Sequence, residues 1–339
     1  MKLTKNIRIQ SRDKELLQKL IDFNGLPGPE IIDRYFKNSR TYGYRRLKEL
    51  EDNDYISRKY YYAQNKKDGV KFAQRIAAIY YATGKGCKEV GCTIDNRFVI
   101  PDDDKLDVIN LVGKLYFKIP NLLSRRQTIE KYELQNFMPI SCSIPSKSPA
   151  FIYVLGNTIG RYDIGRIKSF IEADMIPNAK HYIVSRTFPK RLLLNNSYFV
   201  PWSLALEYLP NIAKDESCYL NEFLKIIQKE LPGIRFLSKA QPLIRAQYHN
   251  QILHIGELIS GSNHLRLILH QPPENTIVYT PSRVHFYGIK LRSEEDSFIF
   301  YSQKDKEFFK MILSEKNRMN SVSYKINCMN YNHTKFPYK

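Results

Sequence analysis

Arg40, Thr41, Tyr44, Arg45 and Lys48 fall at spacings that place all five on one face of a helix. Two guanidinium groups, an ammonium, a hydroxyl and a phenol side by side can reach base edges and phosphates from the major groove of duplex DNA. A second basic group, Lys66, Lys67, Lys71 and Arg75, lies a short distance on. Contacts from such residues to the phosphate backbone add affinity without reading sequence. The plainer alternative is a solvated basic face on an ordinary surface helix.

The elements that must position these residues decide between the two. Ser11 can cap a first helix, RDKELLQKLIDF, whose Leu16, Leu17, Leu20 and Ile21 form one apolar stripe. GLPGPE reads as a turn with prolines suited to starting a second helix, buried through Ile31, Ile32, Tyr35 and Phe36. Asn38 and Ser39 close that helix and cap a third. There Gly43, Leu47 and Leu50 line the inner side, and Gly43 lets a neighbouring helix come close. The five DNA-facing candidates are then exposed. Residues 55–62 read as a strand, AQNKKDGVKFAQR as a polar turn around Asp68-Gly69, and residues 76–83 as the returning strand. Three helices and a hairpin in that order predict a winged helix-turn-helix that grips double-stranded DNA, with the hairpin as wing.

Charge agrees. The 339 residues carry 53 Lys+Arg against 34 Asp+Glu, net +19, a balance that favours a polyanionic partner. Residues 1–91 hold 20 Lys+Arg and 11 Asp+Glu, which makes the first quarter the most basic per residue. No apolar run approaches the length of a membrane span, and MKLTKNIRIQSRDKE has no signal-peptide core. The expectation is a soluble, cytoplasmic protein with no membrane partner.

Catalytic patterns are missing. Cys87, Cys92, Cys142, Cys218 and Cys328 are scattered without a C-x-x-C, so neither a disulfide framework nor a zinc ribbon is signalled. His249 and His254 lack a matching carboxylate or helix-face spacing for a metal. Asp102, Asp103 and Asp104 suit the start of the helix DDDKLDVINLVGKLYF better than a metal site. Gly156, Gly160 and Gly165 come without a Walker Lys-Ser/Thr, and no His-x-His occurs. No catalytic residue, metal ligand or cofactor is therefore assigned.

SRRQTIEKYELQ reads as a further helix. From Ala150 an α/β rhythm sets in: FIYVLG as a buried strand, IGRIKSFIEAD as a helix, KHYIVSRTF as a strand and RLLLNNSYFVPW as one strand or two. YLNEFLKIIQKEL reads as an amphipathic helix, HLRLILHQ, NTIVYT and SFIFYS as strands, and DKEFFKMILSEK as a closing helix. Arg161, Arg166, Lys168, Arg186, Lys190 and Arg191 form a second basic concentration, suited to flanking DNA or to solvent.

RDKELLQKLIDF, SRTYGYRRLKELEDNDYISRKYYY and IYYATGKGCKEVG resemble the replication-relaxation family of plasmid and conjugative-element proteins, over the first 91 residues and loosely beyond. The resemblance implies a winged helix and a role in plasmid replication, DNA relaxation or mobilisation. Distant relatives resemble restriction-endonuclease-like folds, which hold a metal through a Pro-Asp and an Asp/Glu-x-Lys on adjacent strands. Here those positions read Pro139-Ile140-Ser141 or Pro145-Ser146 and Leu155-Gly156-Asn157, and no acid stands between Glu133 and Asp163. Asp163 or Glu172 would have to be a migrated ligand.

The fold class expected is thus α+β: a winged helix-turn-helix at 1–95, a helical connector at 96–138, an α/β domain of degenerate nuclease type at 139–316, and a loose tail at 317–339. The function expected is a non-enzymatic DNA-binding protein of a plasmid or other mobile element, acting in replication, relaxation or mobilisation. Transcriptional regulation through the same helix and metal-dependent nicking by a relaxase or nuclease are the alternatives. A homodimer and contacts with replication or transfer proteins would suit the role.

Overall fold

The computed structural model describes residues 7–67, 70–92, 105–156, 161–186 and, with short interruptions, 190–279. Helices and strands are mixed throughout, an α+β chain. It divides into two compact units, residues 1–186 with 202–215, and residues 187–201 with 216–339. Among the described residues no helix is long and apolar enough to cross a membrane.

In the first unit, helix α1 (Ser11–Asp22) buries Leu16, Leu17 and Leu20. Its N-cap is Gln10, not the expected Ser11, because the Asp13 carboxylate accepts the Gln10 N–H at 2.9 Å and draws the chain into the helix one residue early. GLPGPE is not simply a turn. Leu26 is fully buried, and Leu26–Pro27 forms a short strand β1 before helix α2 (Gly28–Tyr35) begins. Proline is tolerated there because an edge position asks for no ladder N–H. Ser39 caps helix α3 (Arg40–Asp52), its Oγ accepting the Tyr42 N–H at 3.2 Å.

Gly43 is where α3 meets α2. A Cβ there would lie 2.7 Å from both Ile32 Cδ1 and Phe36 Cβ. Gly43→Ala gains up to about 1 kcal/mol of helix propensity but incurs about 1–3 kcal/mol of overpacking, so a net loss is expected. Gly165→Ala, inside a later helix with no atom within 4 Å of the new Cβ, is expected to stabilise by up to about 1 kcal/mol. Urea melts of the two variants should shift in opposite directions; a shared direction would contradict the packing argument.

After α3 come strands β2 (Ile56–Lys67) and β3 (Val70–Ala82), paired from Ile56↔Ala82 to Lys67↔Val70. The 13-residue polar turn expected from AQNKKDGVKFAQR is therefore strand, with only residues 68 and 69 between the arms. Strand pairing needs no apolar alternation, so the polar sequence hides it. β1 pairs with β3 on the other side, Leu26 opposite Tyr80. Helix α4 (Gly84–Glu89) is capped by the Thr83 hydroxyl.

Helix α5 (Leu106–Lys118) follows, with Lys105 as its N-cap; Asp102, Asp103 and Asp104 lie outside the described residues. Leu106 and Ile109 pack with Ala77 and Ile79 of β3, and Gln127 donates to Asp22 of α1 at 3.3 Å. Those contacts cross the border expected after residue 95, and a Thr128–Ser143 hydrogen bond crosses the one expected after residue 138; both borders fall inside the first unit. β4 (Leu123–Ser124) leads into helix α6 (Arg125–Lys131), capped by Ser124. Strands β5 (Cys142–Ile144), β6 (Ala150–Val154) and β7 (Lys180–Ser185) continue one sheet; β6 and β7 run parallel, joined through helix α7 (Arg161–Glu172). The five residues of β6 are all buried, as a strand covered on both faces requires. Helix α8 (Ala205–Lys214) packs on α5.

In the second unit, RLLLNNSYFVPW is extended only at β8 (Ser197–Pro201), after a short 3₁₀ turn at Lys190–Leu192. Strands β9 (Arg235–Ser238), β10 (Leu243–Tyr248) and β11 (Gln251–Glu257) form an antiparallel meander, and β12 (Thr276–Tyr279) joins β11 in parallel. Of HLRLILHQ, expected as a strand, residues 264–268 lie in helix α9 (Asn263–Ile268), and residues 269–271 lie outside the described residues. The Ser262 Oγ accepts the Leu265 N–H at 3.3 Å, Asn263 is held at Leu192 O and Ser197 Oγ, and Leu265 packs on Gly256 of β11. A short apolar run does not distinguish strand from helix, and here the cap decides. YLNEFLKIIQKEL lies partly, and SFIFYS, DKEFFKMILSEK and residues 317–339 wholly, outside the described residues.

Candidate nucleic-acid interface

Helix α3 sorts its residues sharply. Gly43, Arg46, Leu47 and Leu50 are buried, whereas Arg40, Thr41, Tyr44, Arg45 and Lys48 are all exposed on one face. Tyr44, at 51% exposure, is among the most exposed large aromatic side chains described. Each basic member of the face has an acidic neighbour. Arg40 Nη2 lies 2.8 Å from Asp33 Oδ1, Arg45 Nε 3.7 Å from Glu49 Oε1, and Lys48 Nζ 2.8 Å from Asp52 Oδ1. The Asp52 hydrogen bond raises the Lys48 pKa above its ordinary value. The exposed Arg40–Asp33 and Lys48–Asp52 pairs are weak.

The second basic group is brought near the end of the hairpin. Lys66 and Lys71 occupy opposite register positions, Lys67 is the last residue of β2, and Arg75 stands opposite Tyr62 beside a register shift. Three members of the further basic concentration have their own partners within the first unit. Arg166 covers the Phe137 ring at 5.2 Å, Lys168 pairs with Glu172 at 3.5 Å, and Arg186 pairs with Asp107 at 2.9 Å while covering Trp202 at 4.4 Å.

Sequence reasoning passed over the residues beneath the α3 face. Arg46 Nη2 meets Asp13 Oδ2 of α1 at 2.5 Å and donates to Arg8 O at 2.8 Å, while Arg46 Nη1 meets Glu49 Oε2 at 2.9 Å. Hydrogen bonding to the buried Asp13 carboxylate raises the Arg46 pKa above its ordinary value. Tyr42 lies between two cations: Arg45 over its ring at 5.4 Å, Arg12 over it at 5.5 Å, with Arg12 Nη2 donating to the Tyr42 hydroxyl at 3.3 Å. A signal existed, since Asp13 and Arg46 each fall on the apolar stripe of their own helix.

Metal chemistry finds little to work with. Among the described residues no group of three or more His, Cys, Asp or Glu could hold an ion. On the sheet, Thr128 Oγ1 and Ser143 Oγ share a buried hydrogen bond of 2.7 Å, Tyr153 Oη meets His181 Nδ1 at 2.9 Å, Asp163 is exposed and Glu172 is held by Lys168. No protein-family model matches the chain, and neither a curated protein nor a solved structure matches it.

Proposed function

We propose that α1 to β3 form a winged helix-turn-helix that binds double-stranded DNA, with α3 in the major groove and the β2–β3 hairpin along the phosphate backbone. The observation that carries it is the division of α3. Arg40, Thr41, Tyr44, Arg45 and Lys48 all lie exposed on one face of a helix whose other face is buried against α1 and α2, directly before a long basic hairpin. A basic recognition helix followed by a basic hairpin is the arrangement such a reading requires. The net charge of +19 supports long-range attraction to the same partner. The likeness of RDKELLQKLIDF, the block at residues 39–62 and IYYATGKGCKEVG to replication-relaxation proteins supports a mobile-element role in replication, relaxation or mobilisation.

Arg45→Ala is expected to weaken binding to a preferred site by about 1–3 kcal/mol while leaving random duplex nearly unaffected. Lys67→Ala should weaken all duplexes alike and reduce the salt slope by about one. Selection of bound fragments from a genomic library at about 0.15 M salt, followed by affinity measurements on the recovered and a scrambled duplex, tests both. Recovery of no preferred site, or equal losses on both duplexes for Arg45→Ala, would overturn direct readout.

A further inference from the structure

The exposed face of α3 is wired to a buried anchor. Arg46, whose side chain is 6% exposed, is held by the fully buried Asp13 of α1 and passes a second contact to Glu49 Oε2. The other oxygen of the same carboxylate, Oε1, lies 3.7 Å from the Nε of Arg45. One carboxylate therefore bridges a buried guanidinium and an exposed one: Arg45 is 70% exposed and Glu49 39%. The Arg45 guanidinium also lies over the Tyr42 ring, and Arg12 of α1 holds that ring from its hydroxyl. Two separate supports, one ionic and one aromatic, thus act on a single side chain of the face, and both begin on α1.

We infer that Glu49 and Tyr42 are positioning residues that restrict the Arg45 side chain to the conformation in which it reads a base edge. This rests on the DNA-binding reading above. An arginine carries several rotatable bonds, and immobilising it on binding consumes affinity; a side chain already restrained loses less. The restraint also makes Arg45 discriminating, because an unrestrained guanidinium finds phosphates on any sequence.

The charge of Glu49 makes the test decisive. A carboxylate beside DNA is repulsive, so if Glu49 were only a surface charge, Glu49→Gln would tighten binding to every duplex equally. A positioning role requires the opposite for the preferred site. The probes are the duplex recovered by genomic selection and a scrambled duplex of the same composition. Glu49→Gln is expected to lower the preference for the selected duplex about three- to five-fold, with binding to the scrambled duplex unchanged or tighter. In an Arg45→Ala background the same substitution should leave the preference where Arg45→Ala alone puts it. Tyr42→Phe keeps the ring and should keep the preference; Tyr42→Leu should lower it without any change at Glu49. Thermal melts accompany each variant. Unaltered preference in both Glu49→Gln and Tyr42→Leu, or equal loss with and without Arg45, overturns the inference while a discriminating wild type leaves the DNA reading intact. A wild type with no preferred duplex overturns both.

Discussion

Asp13→Ala is expected to lower the free energy of unfolding by about 3–5 kcal/mol, enough to leave the N-terminal helices marginal. The Asp13 carboxylate is fully buried and accepts from Arg46 Nη2 at 2.5 Å, from Arg46 Nε at 3.4 Å and from the Gln10 N–H at 2.9 Å. Its removal strands a guanidinium that has almost no access to water. Glu49 and Arg8 O remain as partners, which draws the loss toward the lower end of that range. Asp13→Asn, which keeps the shape and the acceptor but not the charge, should lose less. Replacing the whole pair, Asp13→Leu with Arg46→Met, should recover most of the stability, because two desolvated charges against one apolar contact roughly break even. Denaturant melts of the two single variants and the double give the coupling directly. Additive losses in the double variant would mean that the pair is not the source.

The same pair shows what the sequence made legible. On α1 and α3 the apolar spacing is enough to turn Leu16, Leu17 and Leu20, and Gly43, Leu47 and Leu50, inward and to leave Arg40, Thr41, Tyr44, Arg45 and Lys48 outside. Periodicity reads which face is inward; it does not say that an inward position can hold a charge when its partner comes from another helix. Asp13 and Arg46 are 33 residues apart, so each alone looks like surface. The hairpin is legible in type but not in length, because its ladder is held by backbone pairing, which a polar sequence does not display. Ser262 caps α9 locally, and Asn263 ties its first turn to Leu192 O and to Ser197 Oγ of β8, contacts between segments that no local pattern contains. For the candidate site, residue types and face came from the sequence, and the two contacts of Glu49 follow i,i+3 and i,i+4 spacings within α3; the Asp13 anchor of Arg46 came only from tertiary packing.

His181 sets the second large effect, on pH. It lies on β7, 2% exposed, with its Nδ1 at 2.9 Å from the Tyr153 hydroxyl and its ring against Phe151 and Phe170. Burial disfavours the imidazolium and pushes the His181 pKa down to about 4 from an ordinary 6.5. Burial likewise holds the Tyr153 phenol well above its ordinary value, so the pair is neutral at physiological pH. The unfolded chain takes up a proton as pH falls through 6.5, whereas the folded chain does so only near 4. Protons therefore favour the unfolded state in this window: the stability is fully present above pH 6.5 and is lost on acidification, by about 3 kcal/mol at pH 4. Urea melts of wild type at pH 7, 6 and 5 should show that decline, and His181→Gln should flatten it whatever its own starting stability. A side-chain proton titration by NMR should place the His181 midpoint near 4. A midpoint near 6.5, or parallel pH curves for wild type and His181→Gln, would mean that water reaches the ring and that the sheet is less closed than its packing indicates.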